Sequence, residues 1–297
     1  MNKEIEIKIF YSKDWKDYEL LDTGEGEKLE KFGKYIFIRP YEDAFWPKTL
    51  TKNEWEKANG KFWSSKTGAK SGWKMNDKID QKWEMSYKNI NFFASPTPFR
   101  HLGFFPEQAS HWDFIENNIK NASENNRKIK FLNLFGYTGI ASLFALKAGA
   151  EVTHVDASKT SISWAKENEK ISGLSGLRVI PEDVMKFLEK QIKKGEKYDA
   201  VIMDPPKFGR GPKGEIWKLE EMLPQLLENV KKVLSDKPLF IILTSYAIDS
   251  SSLSLNYALS EMMQNFSGKV EAGELCILEK SKNRFIPLAN TAIWQSE

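Results

Sequence analysis

The spacing of apolar residues changes character along the chain. Up to about residue 95 they fall in short β-branched and aromatic runs: residues 18–22 and 35–39 read as strands, and Thr23-Gly24-Glu25-Gly26 is the turn signal after the first. Residues 83–87 form a third candidate strand, and Asn91-Phe92-Phe93 extends the sheet. Beyond the hinge signal Ser95-Pro96-Thr97-Pro98, apolar runs alternate with helical stretches. A helix opens at His111-Trp112-Asp113-Phe114-Ile115 and leads to the run 130–135. Further strands are expected at 151–155, 177–180, 198–203 and 240–246, with helices at 140–148 and 219–234 between some of them. Two last strands, 269–278 and 286–294, read as a hairpin. Strands alternating with helices specify an α/β fold with a mainly parallel sheet.

The punctuation within this pattern carries chemistry. The first α/β strand breaks at Gly136-Tyr137-Thr138-Gly139, a helix follows, Gly149 caps it, and the next strand ends on Asp156. Glycines let backbone approach a ligand, and an acid ending the second strand accepts hydrogen bonds from ribose hydroxyls. A dinucleotide fingerprint wants a third glycine and no bulky Tyr137 between the first two. The turn suits a nucleoside cofactor without phosphate, and S-adenosylmethionine meets that description. Asp204-Pro205-Pro206-Lys207 ends the apolar run 198–203, because two prolines remove two donors and fix two φ angles. A carboxylate thus heads a rigid turn at the strand end where open α/β sheets bind ligands.

Phe135-Gly136-Tyr137-Thr138-Gly139, Val155-Asp156-Ala157-Ser158, Pro181-Glu182-Asp183-Val184 and Met203-Asp204-Pro205-Pro206-Lys207-Phe208 come in an order that resembles the class I S-adenosylmethionine-dependent methyltransferases. The nearest branch includes the 23S ribosomal RNA cytosine-C5 methyltransferases, and the segment 101–109 is similar to the stretch preceding its first core strand. The resemblance, which runs from about residue 95 to about 295, implies a seven-stranded, mostly parallel sheet ending in an antiparallel hairpin in a catalytic domain over 96–297, while the strand and turn pattern of residues 1–95 reads as a separate small, mainly β domain before it. It implies that Phe135 and the glycine turn lie at the methionine moiety under Phe105 and Gln108. Asp156, with Ala157 and Ser158, would serve the ribose, and Asp183 the adenine amino group. Asp183 also reads as a helix N-cap, and the two roles are compatible. Asp204, Pro205 and Lys207 would face the acceptor.

Methylation at carbon five of a pyrimidine requires a thiolate that adds to carbon six. The cytosine-C5 relatives supply that cysteine near the end of the fifth strand, where this chain has Tyr246. Its single cysteine, Cys276, lies in an apolar run and reads as an inert buried thiol. An exocyclic base nitrogen is the other acceptor, held by Asp204 and the Pro205 carbonyl. Lys207 stands where an aromatic stacks in relatives of that kind, which leaves Phe208 for stacking. The segment 208–214, with Arg210, reads as a flexible, basic, substrate-facing loop.

Composition narrows the partners less. The chain has 297 residues, is 41% hydrophobic and carries a net charge of +3, too little to argue for nucleic acid alone. No metal-spaced cluster and no membrane-length apolar run occurs, and the lone cysteine fits a reducing cytoplasm. Residues 48–88 hold ten lysines against five acids, interleaved with Trp55, Trp63, Trp73 and Trp83. Such a mixture serves RNA binding or, more prosaically, a small core under a solvated surface. The expected activity is methyl transfer to a nucleobase, most directly of ribosomal RNA. A protein or small-molecule acceptor, or a cofactor-binding module without turnover, is the alternative.

Overall fold

The computed structural model describes residues 6–63, 71–76, 78–210, 216–246 and 251–297. They form two compact units. The larger comprises the residues up to Phe10, Ser110–Leu275 and Pro287–Glu297; the smaller comprises Tyr11–Ala109 and Cys276–Ile286. This division differs from one at residue 95, because residues 96–109 belong to the smaller unit and the first strand belongs to the larger.

The larger unit is built on one sheet of eight strands. Their order is Ile7–Phe10, Gly268–Leu278, Phe285–Ser296, Phe240–Ser245, Ala200–Met203, Lys130–Leu134, Glu151–Asp156 and Arg178–Pro181. The last five are mutually parallel, and Phe285–Ser296 runs antiparallel to Phe240–Ser245. The sheet has one strand more than the expected seven. Ile7–Phe10 adds itself in parallel beside Gly268–Leu278, with Ile7 opposite Ala272 and Phe10 opposite Leu275. Its partner lies at the other end of the chain, so no local pattern reveals the pairing.

Burial on both faces explains the apolar runs. Every residue of Ala200–Met203 and of Phe240–Ser245 is buried, as expected for central parallel strands covered by helices. Leu132, Leu134, Val155, Phe187, Met203 and Leu243 meet in one core with Leu226 and Leu259. Gly149 ends the Ile140–Lys147 helix with φ 97°, its N–H donating to the Leu146 carbonyl while Ala150 N–H reaches Ala145. That is the left-handed cap expected of it.

The smaller unit has a five-stranded sheet, Tyr18–Gly24, Glu27–Phe32, Tyr35–Pro40, Gly60–Trp63 and Gly72–Met75, and a separate pair, Trp83–Tyr87 with Ile90–Ala94. Glu25 and Gly26, at φ 53° and 76°, make the two-residue hairpin turn of the first two strands. Trp55 and Trp83 are core residues at 4% and 6% exposure, and the Trp73 indole donates to the carbonyls of Thr97 and Phe99. Of the four interleaved tryptophans only Trp63 is exposed, so the pattern mainly reports a core.

That core contains a buried ion cluster. Glu30 is fully buried and accepts from Tyr18 Oη at 2.8 Å and from Arg39 Nε and Nη2 at 2.6 Å each, with Lys28 at 3.4 Å. Burial works to raise its carboxyl, but Arg39, Lys28 and the hydrogen bonds overcome this and hold it at about 2. Among the described residues no helix is long and apolar enough to cross a membrane, and no group of three or more His, Cys, Asp or Glu is placed to hold a metal ion.

Candidate active site

The candidate residues of the larger unit gather where the strand order reverses. From Lys130–Leu134 the chain moves outward through Glu151–Asp156 to Arg178–Pro181, then returns to the opposite side with Ala200–Met203 and Phe240–Ser245. Met203 lies opposite Leu134, so the Asp204 turn and the glycine turn leave adjacent strands at the same sheet edge. Asp156 leaves the neighbouring strand on the other side, with Val155 opposite Leu134. Such a switch point opens a crevice for a ligand.

Three left-handed residues shape the glycine turn: Phe135 at φ 59°, Tyr137 at 51° and Gly139 at 86°. Two of them are not glycine, and strain of this kind persists only where surroundings impose it. Asp156 imposes part of it, because its Oδ2 accepts from the Tyr137 N–H at 2.9 Å while its Oδ1 accepts from the Ser158 N–H at 2.8 Å. Asn168 Nδ2 donates to the Thr138 carbonyl at 2.9 Å, and the Gly136 N–H donates to the Val155 carbonyl at 3.0 Å. Burial raises the Asp156 carboxyl above the ordinary aspartate range, against the two N–H bonds that favour its charged form. Burial, followed by the Asp156 charge, raises the Tyr137 phenol to about 12.

Sequence reasoning missed what lies beneath the turn. His154 is fully buried, and a Cβ at Gly136 would collide with its ring; a Cβ at Gly139 would sit 2.8 Å from Ala165 Cβ. The glycines therefore let the turn settle onto protein. Ser142 Oγ accepts from Asn133 Nδ2 at 2.9 Å and lies 3.0 Å from His154 Nδ1, forming a buried polar chain. Burial lowers the imidazole to about 4, so it is neutral at pH 7. A polar residue within an apolar strand was the only signal.

The remaining candidates are placed as follows. Ser158 caps the Lys159–Ile171 helix through Oγ, and Ala157 links it to Asp156. Asp183 caps Val184–Lys194, its Oδ1 accepting from the Lys186 N–H at 3.0 Å, which realises the N-cap reading. Asp204 is half-buried and Pro205 buried, while Pro206, Lys207 and Phe208 are exposed. Phe105 and Gln108 belong to the smaller unit, at the Pro106–Gln108 turn, where Gln108 is buried and Phe105 meets the His101 ring at 4.8 Å. His111 is structural, buried with Nε2 3.1 Å from Thr291 Oγ1.

The supposed flexible loop after Lys207 is partly ordered. Phe208–Arg210 pairs antiparallel with Ile216–Lys218; the Arg210 side chain and residues 211–215 lie outside the described residues. Trp217, which the sequence did not single out, is buried and meets the Phe135 ring at 5.1 Å. The Phe240–Ser245 strand leads into Tyr246, and Cys276 is buried within Gly268–Leu278, so no thiol stands at the end of the fifth parallel strand.

These residues fit a nucleoside cofactor. Each Asp156 oxygen uses one lone pair on backbone and keeps another for a hydroxyl donor, at the mouth of a turn braced from below.

Comparison with known proteins agrees with this geometry. A family model described as a methyltransferase domain matches residues 136–291, just over half of the chain. The crystal structure of a SAM-dependent methyltransferase from Agrobacterium tumefaciens superposes with a TM-score of 0.92 at 38% identity, covering 100% of this chain and 98% of that one. Ribosomal RNA large subunit methyltransferase I of Aeromonas salmonicida is 45% identical over 82 residues, 27% of this chain and 21% of that protein. Ribosomal RNA large subunit methyltransferase K of Neisseria meningitidis serogroup B is 31% identical over 153 residues, 49% of this chain and 43% of that protein. The matches thus span less than half the length of these curated relatives. Motif order, sheet topology and the full-length structural match together place the chain in the methyltransferase-domain family of class I S-adenosylmethionine-dependent enzymes.

Proposed function

We propose that the protein methylates an exocyclic amino nitrogen of a base in large-subunit ribosomal RNA. The observation that carries the reading is the pairing of Met203 with Leu134, which sets Asp204 beside the glycine turn at the switch point. The ribosomal substrate is supported by the names of the curated relatives. An amino nitrogen is favoured because a carbon-five acceptor needs a thiolate, and the single cysteine is buried elsewhere in the sheet.

S-adenosylmethionine supplies a sulfonium methyl that is already electrophilic, so the protein's work is alignment and exclusion of water. Asp156 would hold the ribose hydroxyls, with Ala157 and Ser158 completing the bend, and Asp183 the adenine amino group. The backbone of residues 135–139 would line the methionine end. Asp204 accepts an amino hydrogen of the base and turns the nitrogen lone pair toward the methyl. As the nitrogen–carbon bond forms and the carbon–sulfur bond breaks, the displaced proton passes to the Asp204 carboxylate. The carbonyl of Pro205 would accept the second amino hydrogen. Phe208, 54% exposed, offers a stacking face, and the exposed Lys207 supplies charge for phosphate, a role the sequence also suggests for Arg210.

The smaller unit would recognise RNA, as a β-rich module presenting Phe45 and Phe99 at 89% and 70% exposure among its lysines. Labelled methyl transfer to undermethylated large-subunit RNA tests the whole reading, followed by mass analysis of the nucleoside. Asp204→Asn is expected to lower turnover about 100-fold or more while S-adenosylhomocysteine binds as in wild type. Label in protein instead of RNA, or a C5-methyl product, overturns it.

A further inference from the structure

Pro205 and Pro206 carry no N–H, so the backbone at these two positions can be held only through its carbonyls. The return strand of the ribbon, Ile216–Lys218, and the residue after it supply donors: the Trp217 indole N–H donates to the Pro206 carbonyl, and the Leu219 N–H donates to the Lys207 carbonyl at 3.0 Å. The same indole is 8% exposed and meets the Phe135 ring edge-on, with centroids 5.1 Å apart and planes at 60°. Phe135 opens the glycine turn from a left-handed backbone conformation, φ 59°. One side chain therefore touches both walls of the site.

The ribbon's register explains how Trp217 reaches inward. Gly209 lies opposite Trp217, Phe208 opposite Lys218 and Arg210 opposite Ile216. Alternate residues of a strand face opposite sides. Trp217 thus shares the inner face with Gly209, while Phe208 and Ile216 are 54% and 55% exposed on the outer face.

We infer that Trp217 is a positioning residue that sets the Asp204–Pro206 turn against the glycine turn and couples acceptor binding on the outer face of the ribbon to cofactor binding at Phe135. The acceptor half rests on the nucleobase reading; the cofactor half does not. Coupling through one shared element is reciprocal, so RNA tightens the cofactor site by the factor with which the cofactor tightens the RNA site.

The test uses the full chain as wild type, Trp217→Phe and Trp217→Leu, with calorimetric titration of S-adenosylhomocysteine and steady-state methyl transfer to undermethylated large-subunit RNA. Trp217→Phe keeps a ring against Phe135 and loses the donor to Pro206. It should bind S-adenosylhomocysteine within about twofold of wild type while kcat falls about tenfold, the scale of one hydrogen bond. Trp217→Leu loses both contacts and should weaken S-adenosylhomocysteine about tenfold as well. RNA should tighten S-adenosylhomocysteine binding in wild type and do so less in both variants. A purely structural role would lower melting temperature without splitting kcat from cofactor affinity, and that result overturns the inference. If wild type methylates no RNA, the nucleobase reading falls alone. The cofactor half is then judged by Trp217→Leu, and unchanged affinity in that folded variant overturns it. Should Trp217→Leu not fold, an unchanged kcat in Trp217→Phe overturns the inference.

Discussion

Gly136 rests on the imidazole of His154 so closely that a single added methyl group collides with the ring. The strained turn is thus supported from within the sheet, by a neutral histidine held through Ser142 and Asn133. Gly136→Ala is expected to weaken S-adenosylhomocysteine binding about tenfold or more, the scale of overpacking a tight contact. Gly136→Ala combined with His154→Ala should recover part of the loss, because the smaller residue makes room. Calorimetry of the single and double variants decides it, and a double variant that shows no recovery locates the clash elsewhere.

Asp156 should dominate cofactor affinity. Hydrogen bonds to a charged acceptor contribute about 1.5–3 kcal/mol each, so Asp156→Ala is expected to cost about 100-fold in affinity or more. Because burial raises its carboxyl, protonation removes the acceptor at a higher pH than for an ordinary aspartate. Affinity should fall with acidification before a solvent-exposed aspartate would titrate, and a pH series of titrations reads this directly.

Acid should destabilise the fold early. All three histidines are lowered, His101 to about 3, His111 to about 3 and His154 to about 4, with burial the leading cause in each. A group whose folded pKa lies below its unfolded value of about 6.5 contributes stability that is complete above that pH and is lost as pH falls toward the folded value. Each such group sets a slope of at most about 1.4 kcal/mol per pH unit. Urea melts between pH 7.5 and 4.5 should show the decline, and His111→Asn should flatten it.

The Glu30 cluster makes an opposite demand on its partners. Arg39→Met strands a carboxylate that is fully buried, and breaking a buried pair from one side costs about 3–5 kcal/mol. Thermal melts should show a large fall in Tm that Arg39→Met with Glu30→Gln partly reverses. With Glu30 held at about 2, its contribution is present above the unfolded carboxylate value and disappears as pH falls through the folded one.

The chain's local patterns determined most of the α/β architecture. Apolar runs broken at Gly136, Asp156 and Pro205 predict strands that end where the structure ends them, since glycine caps and prolines act on their own backbone. Asp156 at the second strand's end was legible for the same reason, and Asp183 was readable as an N-cap. Of the two readings of the lysine and tryptophan interleaving, a small core holds for Trp55 and Trp83, which are buried.

Other features depended on partners distant in sequence. The Ile7–Phe10 strand finds its neighbour in Gly268–Leu278, Glu30 finds Arg39 on the paired strand Tyr35–Pro40, and Gly136 owes its identity to His154 on the next strand. Trp217 carries no motif, yet packing puts its indole between Pro206 and Phe135. Backbone preference is written residue by residue and so can be read along the chain. Contact between side chains is set by strand order and register, and only the folded sheet decides those.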